Sequence, residues 1–139
     1  RRSSILLGRI NISCVWDSIH ARMDAAERRL LGVGHYTPDA LCASIKKMAP
    51  RCIRAQPVLV NGQPLSDQFL DECVQRLESV TSTRDGYDMS SCDPLLVLLC
   101  SMLGWRIEHN FAGSNIVYTP TRTNAGRVIK LHASRTHQS

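Results

Sequence analysis

The stretch from Asp93 to Phe111 constrains the fold most, because it joins a fully apolar helix to a strand. Asp93-Pro94 is a helix start signal, and the residues that follow, up to Leu103, are apolar on nearly all sides. They predict a buried helix that ends at Gly104. Trp105 to Phe111 then alternates between apolar and polar residues, which predicts a strand with one buried face. The core of this chain must therefore contain both helices and a sheet.

Three other helices are predicted from cap residues and from apolar residues spaced three or four apart. The first begins near Cys14 and ends at Gly32-Val33-Gly34, the second runs from Thr37-Pro38-Asp39 to Ala49-Pro50, and the third begins after Ser66 and has Phe69, Leu70, Cys73, Val74 and Leu77 on its inner face. The polar, turn-rich segment 79–91 predicts a surface loop.

Further strands are predicted at Ser4 to Leu7, after Pro57, at Ile116 to Thr119 and at Arg127 to Ala133. Asn61-Gly62 is a turn signal, and Pro64 argues against a regular second strand, so 57–64 is predicted to be a loop with one edge strand. Because most helices precede the strands, the predicted fold class is α+β, with helices packed on a small antiparallel sheet.

The length of 139 residues suits a single domain, 1–139, with a hydrophobic core. A hydrophobic content of 43% and a charged content of 21% are typical of a soluble globular protein. The longest apolar run, Pro94 to Cys100, is too short to span a membrane. Because the chain begins with Arg1-Arg2 rather than Met, we expect it to be a fragment of a larger polyprotein.

The chain has six cysteines, an even number that could form three disulfides. It is, however, long and apolar enough not to need them, and four of the six occupy core-like positions in helical patterns: Cys14, Cys42, Cys73 and Cys100. This usage predicts reduced thiols and a cytosolic setting. No Cys-x-x-Cys pair occurs and the remaining possible ligands are scattered, so no metal site and no cofactor is predicted.

Cys14 is the candidate nucleophile, because it lies in or near the first turn of the first predicted helix. The helix dipole and the unpaired backbone N–H groups there favour the thiolate, which is the reactive form of cysteine. The alternative is a small buried hydrophobic residue at the start of a core helix.

A cysteine nucleophile needs a base, usually histidine, and the chain has five histidines. His20 is predicted at the surface or boundary of the first helix, His35 in a turn and His109 on the buried face of a strand. His132 lies on the outer face of the last strand. His137 follows the end of that strand, the kind of position that catalytic groups favour, and is the candidate base.

The segment from Asn11 to Ile19 (NISCVWDSI) resembles the nucleophile segment of ovarian-tumour-type cysteine proteases, a branch of the papain-like proteases, which typically reads DGNCLFRSI. Later parts of the chain are similar too. A polar loop, an apolar helix and the strand beginning Trp105-Arg106-Ile107 are followed by the strand Val128 to Leu131 and then by Thr136-His137. The likeness covers both ends of the chain and leaves residues 32–78 unmatched.

This chain departs from the family pattern at four places. Asn11 stands where the family has an acid, and Ser13 stands where it has asparagine. Gln138 replaces an aromatic residue, and Ser139 replaces the Asp or Asn that orients the histidine. The resemblance therefore implies either a Cys-His dyad or a triad in which Asn11 is one candidate for the third group.

The resemblance implies a viral thiol hydrolase of the host cytoplasm, a cysteine endopeptidase that cleaves polyprotein bonds and is also a candidate deubiquitinase. Cys14 and His137 would be its catalytic pair. Backbone N–H groups of Cys14 and of the loop that contains Ile12 and Ser13 would hold the oxyanion. Trp16 would support the nucleophile helix beside the substrate cleft, or would simply be a core aromatic.

Two alternatives remain. A degenerate relative could keep the fold and lack the activity. A non-enzymatic interaction module could bind RNA or a partner protein through a basic C-terminal hairpin, since no acidic residue follows Glu108 and the basic residues there are Arg122, Arg127, Lys130 and Arg135. Tyr118 is the only aromatic residue near these charges, which argues against nucleic acid as the partner.

Overall fold

The structure, a computed structural model, describes residues 14–82, 89–122 and 127–133. These contain five helices: α1 Cys14–Arg22, α2 Ala25–Leu30, α3 Pro38–Cys52, α4 Asp67–Glu78 and α5 Pro94–Leu103. They also contain five strands: β1 Val58–Val60, β2 Gln63–Pro64, β3 Arg106–Phe111, β4 Ser114–Pro120 and β5 Val128–Ala133. The strand predicted at Ser4 to Leu7 lies outside the described residues, as does the middle of the loop 79–91.

The five strands form one sheet in the order β2-β1-β4-β3-β5. The predicted α+β class and single domain agree with this arrangement of helices on a sheet. The prediction that the sheet is antiparallel is wrong for one pairing, because β5 runs parallel to β3 while the other three pairings are antiparallel. β4 pairs with β3 on one side and with β1 on the other, so β5 pairs with the free edge of β3.

The core lies between the helices and one face of the sheet. α5 is buried along almost its whole length, as its composition predicts, and Gly104 ends it in a left-handed conformation (φ 70°) with its N–H bonded to the Cys100 carbonyl. Alternate residues of the strand region, Trp105, Ile107 and His109, face this core with no exposed surface. The alternation in the sequence therefore identified the buried face of β3.

The single first helix that was predicted is in fact two helices. α1 ends at Arg22, and Asp24 begins α2 with a capping box. The Asp24 carboxylate accepts a hydrogen bond from the Glu27 N–H (2.8 Å), and the Glu27 carboxylate accepts one from the Asp24 N–H (2.9 Å). The end of the helical region at Gly32, which has φ +69°, is as predicted.

Two boundaries set by proline also differ from the predictions. α3 continues past Pro50 to Cys52, because a proline in the last turn removes only one hydrogen bond of the helix. Pro64 does form part of a strand, since β2 lies at the edge of the sheet, where proline is tolerated. The strand before it, β1, is not an edge strand, because it pairs with both β2 and β4.

The predicted helix starts at Thr37, Ser66 and Asp93 are confirmed. Each side chain accepts a hydrogen bond from a backbone N–H of the first turn that follows it. No helix of the described ranges is both long and apolar enough to cross a membrane.

Candidate functional site

Cys14 is the first residue of α1, which confirms its predicted position in the first turn of a helix. The other predicted catalytic and oxyanion residues lie outside the described residues: Asn11, Ile12, Ser13 and His137. The structure therefore bears on the candidate site through α1 and β5, the two elements that carry the chain toward Cys14 and His137.

Trp16 is fully buried and belongs to the hydrophobic core together with Val15 and Ile19. A ring without exposed surface does not line an open cleft, so the proposed place of Trp16 in the substrate cleft is not supported by its burial. Trp16 instead packs α1 against the core, together with the other buried residues of this helix.

Two side chains connect α1 to β5. The Arg127 guanidinium, just before β5, donates a hydrogen bond to the backbone carbonyl of Arg22 at the end of α1. The Arg22 guanidinium folds back along α1 to the Ser18 carbonyl (2.9 Å) and hydroxyl (2.6 Å), and it also lies 3.4 Å from the Lys130 carbonyl in the middle of β5.

Both contacts are made by Arg22, the last residue of α1. They place the end of α1 against the free edge of β5. Ser18, one helical turn earlier, binds the same guanidinium that reaches the Lys130 carbonyl. The helix that begins with Cys14 is therefore a neighbour of the strand that precedes His137.

A buried carboxylate locks this arrangement in place. The Glu27 side chain is only 6% exposed, and it accepts hydrogen bonds from the Trp105 indole N–H (2.7 Å) and from the Arg127 guanidinium (2.8 Å). The same guanidinium lies over the Trp105 ring at 5.6 Å. Glu27 thus joins α2 to the residues that precede β3 and β5.

Sequence reasoning missed Glu27 as an organising residue. Its signal was present as Asp24-x-x-Glu27, a capping-box pattern, but the apolar periodicity continues through it and suggested one long helix. The contacts of Glu27 with Trp105 and Arg127 span 78 and 100 residues of sequence, and no local pattern predicts them.

The described histidines occupy the positions expected from the sequence. His20 is half-buried on α1 and stacks on Tyr36 (4.0 Å between ring centroids), and Tyr36 donates a hydrogen bond to Asp17. Burial, reinforced by Arg28, lowers the pKa of His20. His35 and His132 are exposed.

His109 is a core histidine, and its environment is unsuited to a general base. It has no exposed surface, and within the part of the chain that the structure describes neither ring nitrogen has a hydrogen-bond partner. Burial, together with the charge of His132, lowers the pKa of His109 to about 4.

Five cysteines have described side chains, and all five are free thiols: Cys42, Cys52, Cys73, Cys92 and Cys100. Three of them are buried, as predicted for structural residues, and burial raises the pKa of both Cys73 and Cys100 to about 12. A thiol with so high a pKa is protonated and unreactive at neutral pH. These buried cysteines are therefore packing residues rather than nucleophiles.

The basic hairpin required by the alternative function is not formed by β4 and β5. β3 lies between these two strands in the sheet. Arg127 is also engaged, because its guanidinium pairs with the buried Glu27 carboxylate. Of the four basic residues in question, Arg122 and Lys130 are exposed in the structure, while Arg135 lies outside the described residues.

Over residues 14–82, 89–122 and 127–133, no three His, Cys, Asp or Glu side chains are grouped so that they could hold a metal ion. No protein-family model matches this chain, and neither a curated protein nor a solved structure does.

Proposed function

We propose that this chain is a cysteine hydrolase of the ovarian-tumour type, with Cys14 as nucleophile and His137 as general base. Its substrates are peptide bonds of a viral polyprotein, with ubiquitin linkages as a second class, and it acts in the host cytoplasm. The observation that carries the proposal is the contact between α1, which begins with Cys14, and β5, which precedes His137, through the side chains of Arg22 and Arg127.

The length of chain after β5 fits this pairing. His137 follows Ala133, the last residue of β5, by four residues. Four residues reach at most about 13 Å when fully extended. Arg22, which contacts the middle of β5, lies eight residues after Cys14 in α1, a rise of about 12 Å. A histidine at position 137 is thus within range of a thiol at the start of α1.

The location of Cys14 supports its role as nucleophile. The first turn of a helix presents unpaired N–H groups and the positive end of the helix dipole, and both stabilise a thiolate. Trp16 and Ile19, buried in the core, hold α1 in place, so that its first turn has a fixed position.

The proposed reaction proceeds by acyl transfer. His137 accepts the thiol proton of Cys14, and the thiolate attacks the substrate carbonyl carbon to form a tetrahedral oxyanion. Backbone N–H groups of Cys14 and of the preceding loop with Ile12 and Ser13 stabilise that oxyanion. The C–N bond then breaks, and the leaving amine takes the proton from His137. Water hydrolyses the thioester and releases a carboxylic acid, and Asn11 is the candidate to orient His137.

The first test uses ubiquitin that carries an electrophile at its C-terminus. We expect wild type to gain the mass of one probe and the variant Cys14→Ala to gain none. His137→Ala should also lose labelling, because the thiol then lacks its base. Cys52→Ala is the matched control, since it removes a half-buried thiol of α3 and should be labelled like wild type.

Absence of labelling in wild type would remove the ubiquitin-directed part of the proposal. The hydrolase itself is then tested with iodoacetamide, by following alkylation of each cysteine with mass spectrometry at neutral pH. Cys14 should react roughly tenfold or more faster than Cys52, and the advantage should vanish in His137→Ala. If Cys14 reacts no faster than Cys52, the nucleophile assignment is wrong.

A further inference from the structure

A groove of about 510 Å³ lies where the outer face of the sheet meets α1. Its polar lining comes from Glu108 and Asn110 of β3, Asn115 of β4, Lys130 and His132 of β5, and Arg22 of α1. The strand residues alternate with the buried Ile107, His109, Ile129 and Leu131, which places them on the side of the sheet that faces away from the core.

Two cations of the groove, Arg22 and Lys130, form no salt bridge with an acid of the described ranges. The hydrogen bonds of Arg22 go to the Ser18 hydroxyl and to two backbone carbonyls. Glu108, the one acid of the described lining, is already paired with Arg106 at 3.6 Å. The side chain of Arg22 is partly buried, and this burial lowers its pKa. An anion in the groove would offset the cost of partly burying the Arg22 charge.

The neutral part of the lining is suited to a polypeptide. Asn110 and Asn115 are direct cross-strand partners, so two amide side chains lie side by side on the floor of the groove. Amide groups both donate and accept hydrogen bonds, as the backbone of an extended peptide requires. The one aromatic ring of the described lining is the His132 imidazole, whereas single-strand binders use several stacking rings, and Glu108 would repel a continuous phosphate backbone.

We propose that this groove binds an acidic side chain of an extended polypeptide, with its carboxylate between Arg22 and Lys130 and its backbone over Asn110 and Asn115. The groove includes Arg22 and Lys130, the residues at which α1 contacts β5, and so lies beside the two elements that carry Cys14 and precede His137. In taking this polypeptide to be the substrate, the inference rests on the proposed hydrolase function. The carboxylate site itself does not need a reactive thiol.

The site is tested by fluorescence anisotropy with labelled hexaglutamate, hexaglutamine and hexauridylate, on wild type and on Cys14→Ala. Hexaglutamate should bind both proteins roughly tenfold more tightly than hexaglutamine, the discrimination expected when a single charge-assisted hydrogen bond is gained. Lys130→Gln should weaken hexaglutamate binding by about tenfold. Lys130 is exposed, so this variant should fold normally, which a thermal melt verifies.

Lys47→Gln is the matched control, because it removes the same charge from an exposed position on α3. An equal loss of binding in Lys47→Gln would mean general charge attraction and would overturn the site. Tighter binding of hexauridylate that depends on Lys130 would identify a nucleic-acid surface instead. If hexaglutamate still binds but Cys14 proves unreactive, the carboxylate site stands and only its link to hydrolysis is removed.

Discussion

At the scale of single residues, Glu27 is the side chain on which the arrangement of α2, β3 and β5 depends. Its two carboxylate oxygens are shared between the Asp24 N–H, the Trp105 indole and the Arg127 guanidinium. A buried charge is tolerated only when its partners replace the lost water, and here all of them are in place.

We predict that Glu27→Gln lowers the free energy of unfolding by about 3 kcal/mol, because it leaves the Arg127 cation without its carboxylate in a largely buried site. Urea denaturation followed by circular dichroism measures the change. Glu72→Gln on the exposed surface of α4 is the control and should change stability by less than about 0.5 kcal/mol. Equal effects of the two substitutions would show that Glu27 has no special role.

The residue scale also shows what local sequence can reveal. Cap residues act on backbone groups two or three positions away, so Thr37, Ser66 and Asp93 were recognised correctly. Glu27 acts both locally and on Trp105 and Arg127, and only its local role has a sequence pattern. No local pattern indicates that a charged residue will be buried against residues distant in sequence, so this role is visible only in the structure.

At the scale of elements, α5 is the helix with the most buried residues of those described, and its start is fixed by one buried side chain. Asp93 has no exposed surface. One of its oxygens accepts from the N–H groups of Leu95 (2.9 Å) and Leu96 (3.4 Å), and the other accepts from the Ser90 N–H (2.9 Å). Ser66, by comparison, caps α4 at the surface with one hydrogen bond to the Phe69 N–H.

We predict that Asp93→Ala destabilises the protein by about 3 kcal/mol and Ser66→Ala by only about 1 kcal/mol. Both changes remove a helix cap, but the first also leaves buried N–H groups without an acceptor. Chemical denaturation of the two variants side by side gives the comparison. A loss of equal size in both would mean that burial adds nothing to the cap.

Element pairing marks the limit of prediction from this sequence. The alternation of Trp105 to Phe111 and the apolar residues of 128–131 correctly indicated strands and the inward face of β3. No local sequence pattern indicates which edge of a sheet a strand will join. That β5 joins β3 rather than β4 depends on β1, which occupies the other edge of β4, and β1 was itself predicted to be an edge strand.

At the scale of the whole molecule, the candidate site depends on that same pairing. Because β5 is the outermost strand beside β3, its free edge is available to α1, and Arg22 contacts the Lys130 carbonyl there. A hairpin of β4 and β5 would have placed β5 elsewhere. Sequence reasoning therefore identified Cys14 and His137 as candidates, but the relation between their elements follows only from the assembled sheet.

Acid sensitivity of the folded state is a property of the whole molecule that one histidine should dominate. The pKa of His109 is about 4 in the folded protein, below the ordinary value of 6.5 that it regains on unfolding. Between pH 4 and pH 6.5, His109 binds a proton more readily in the unfolded chain than in the folded protein. The contribution of neutral His109 is thus fully present above pH 6.5 and is lost as the pH falls toward 4, a change of about 3 kcal/mol.

We predict that His109→Leu removes this part of the pH dependence, because leucine stays neutral and fills the same apolar site beside Phe111. The free energy of unfolding, measured by urea denaturation from pH 7 to pH 4, should fall less steeply in the variant than in wild type. The stability of the variant relative to wild type should therefore grow by about 3 kcal/mol over that range. His35→Leu, at an exposed turn, should leave the curve parallel to wild type. Parallel curves for His109→Leu would instead mean that carboxylates account for the acid sensitivity and that the buried imidazole does not.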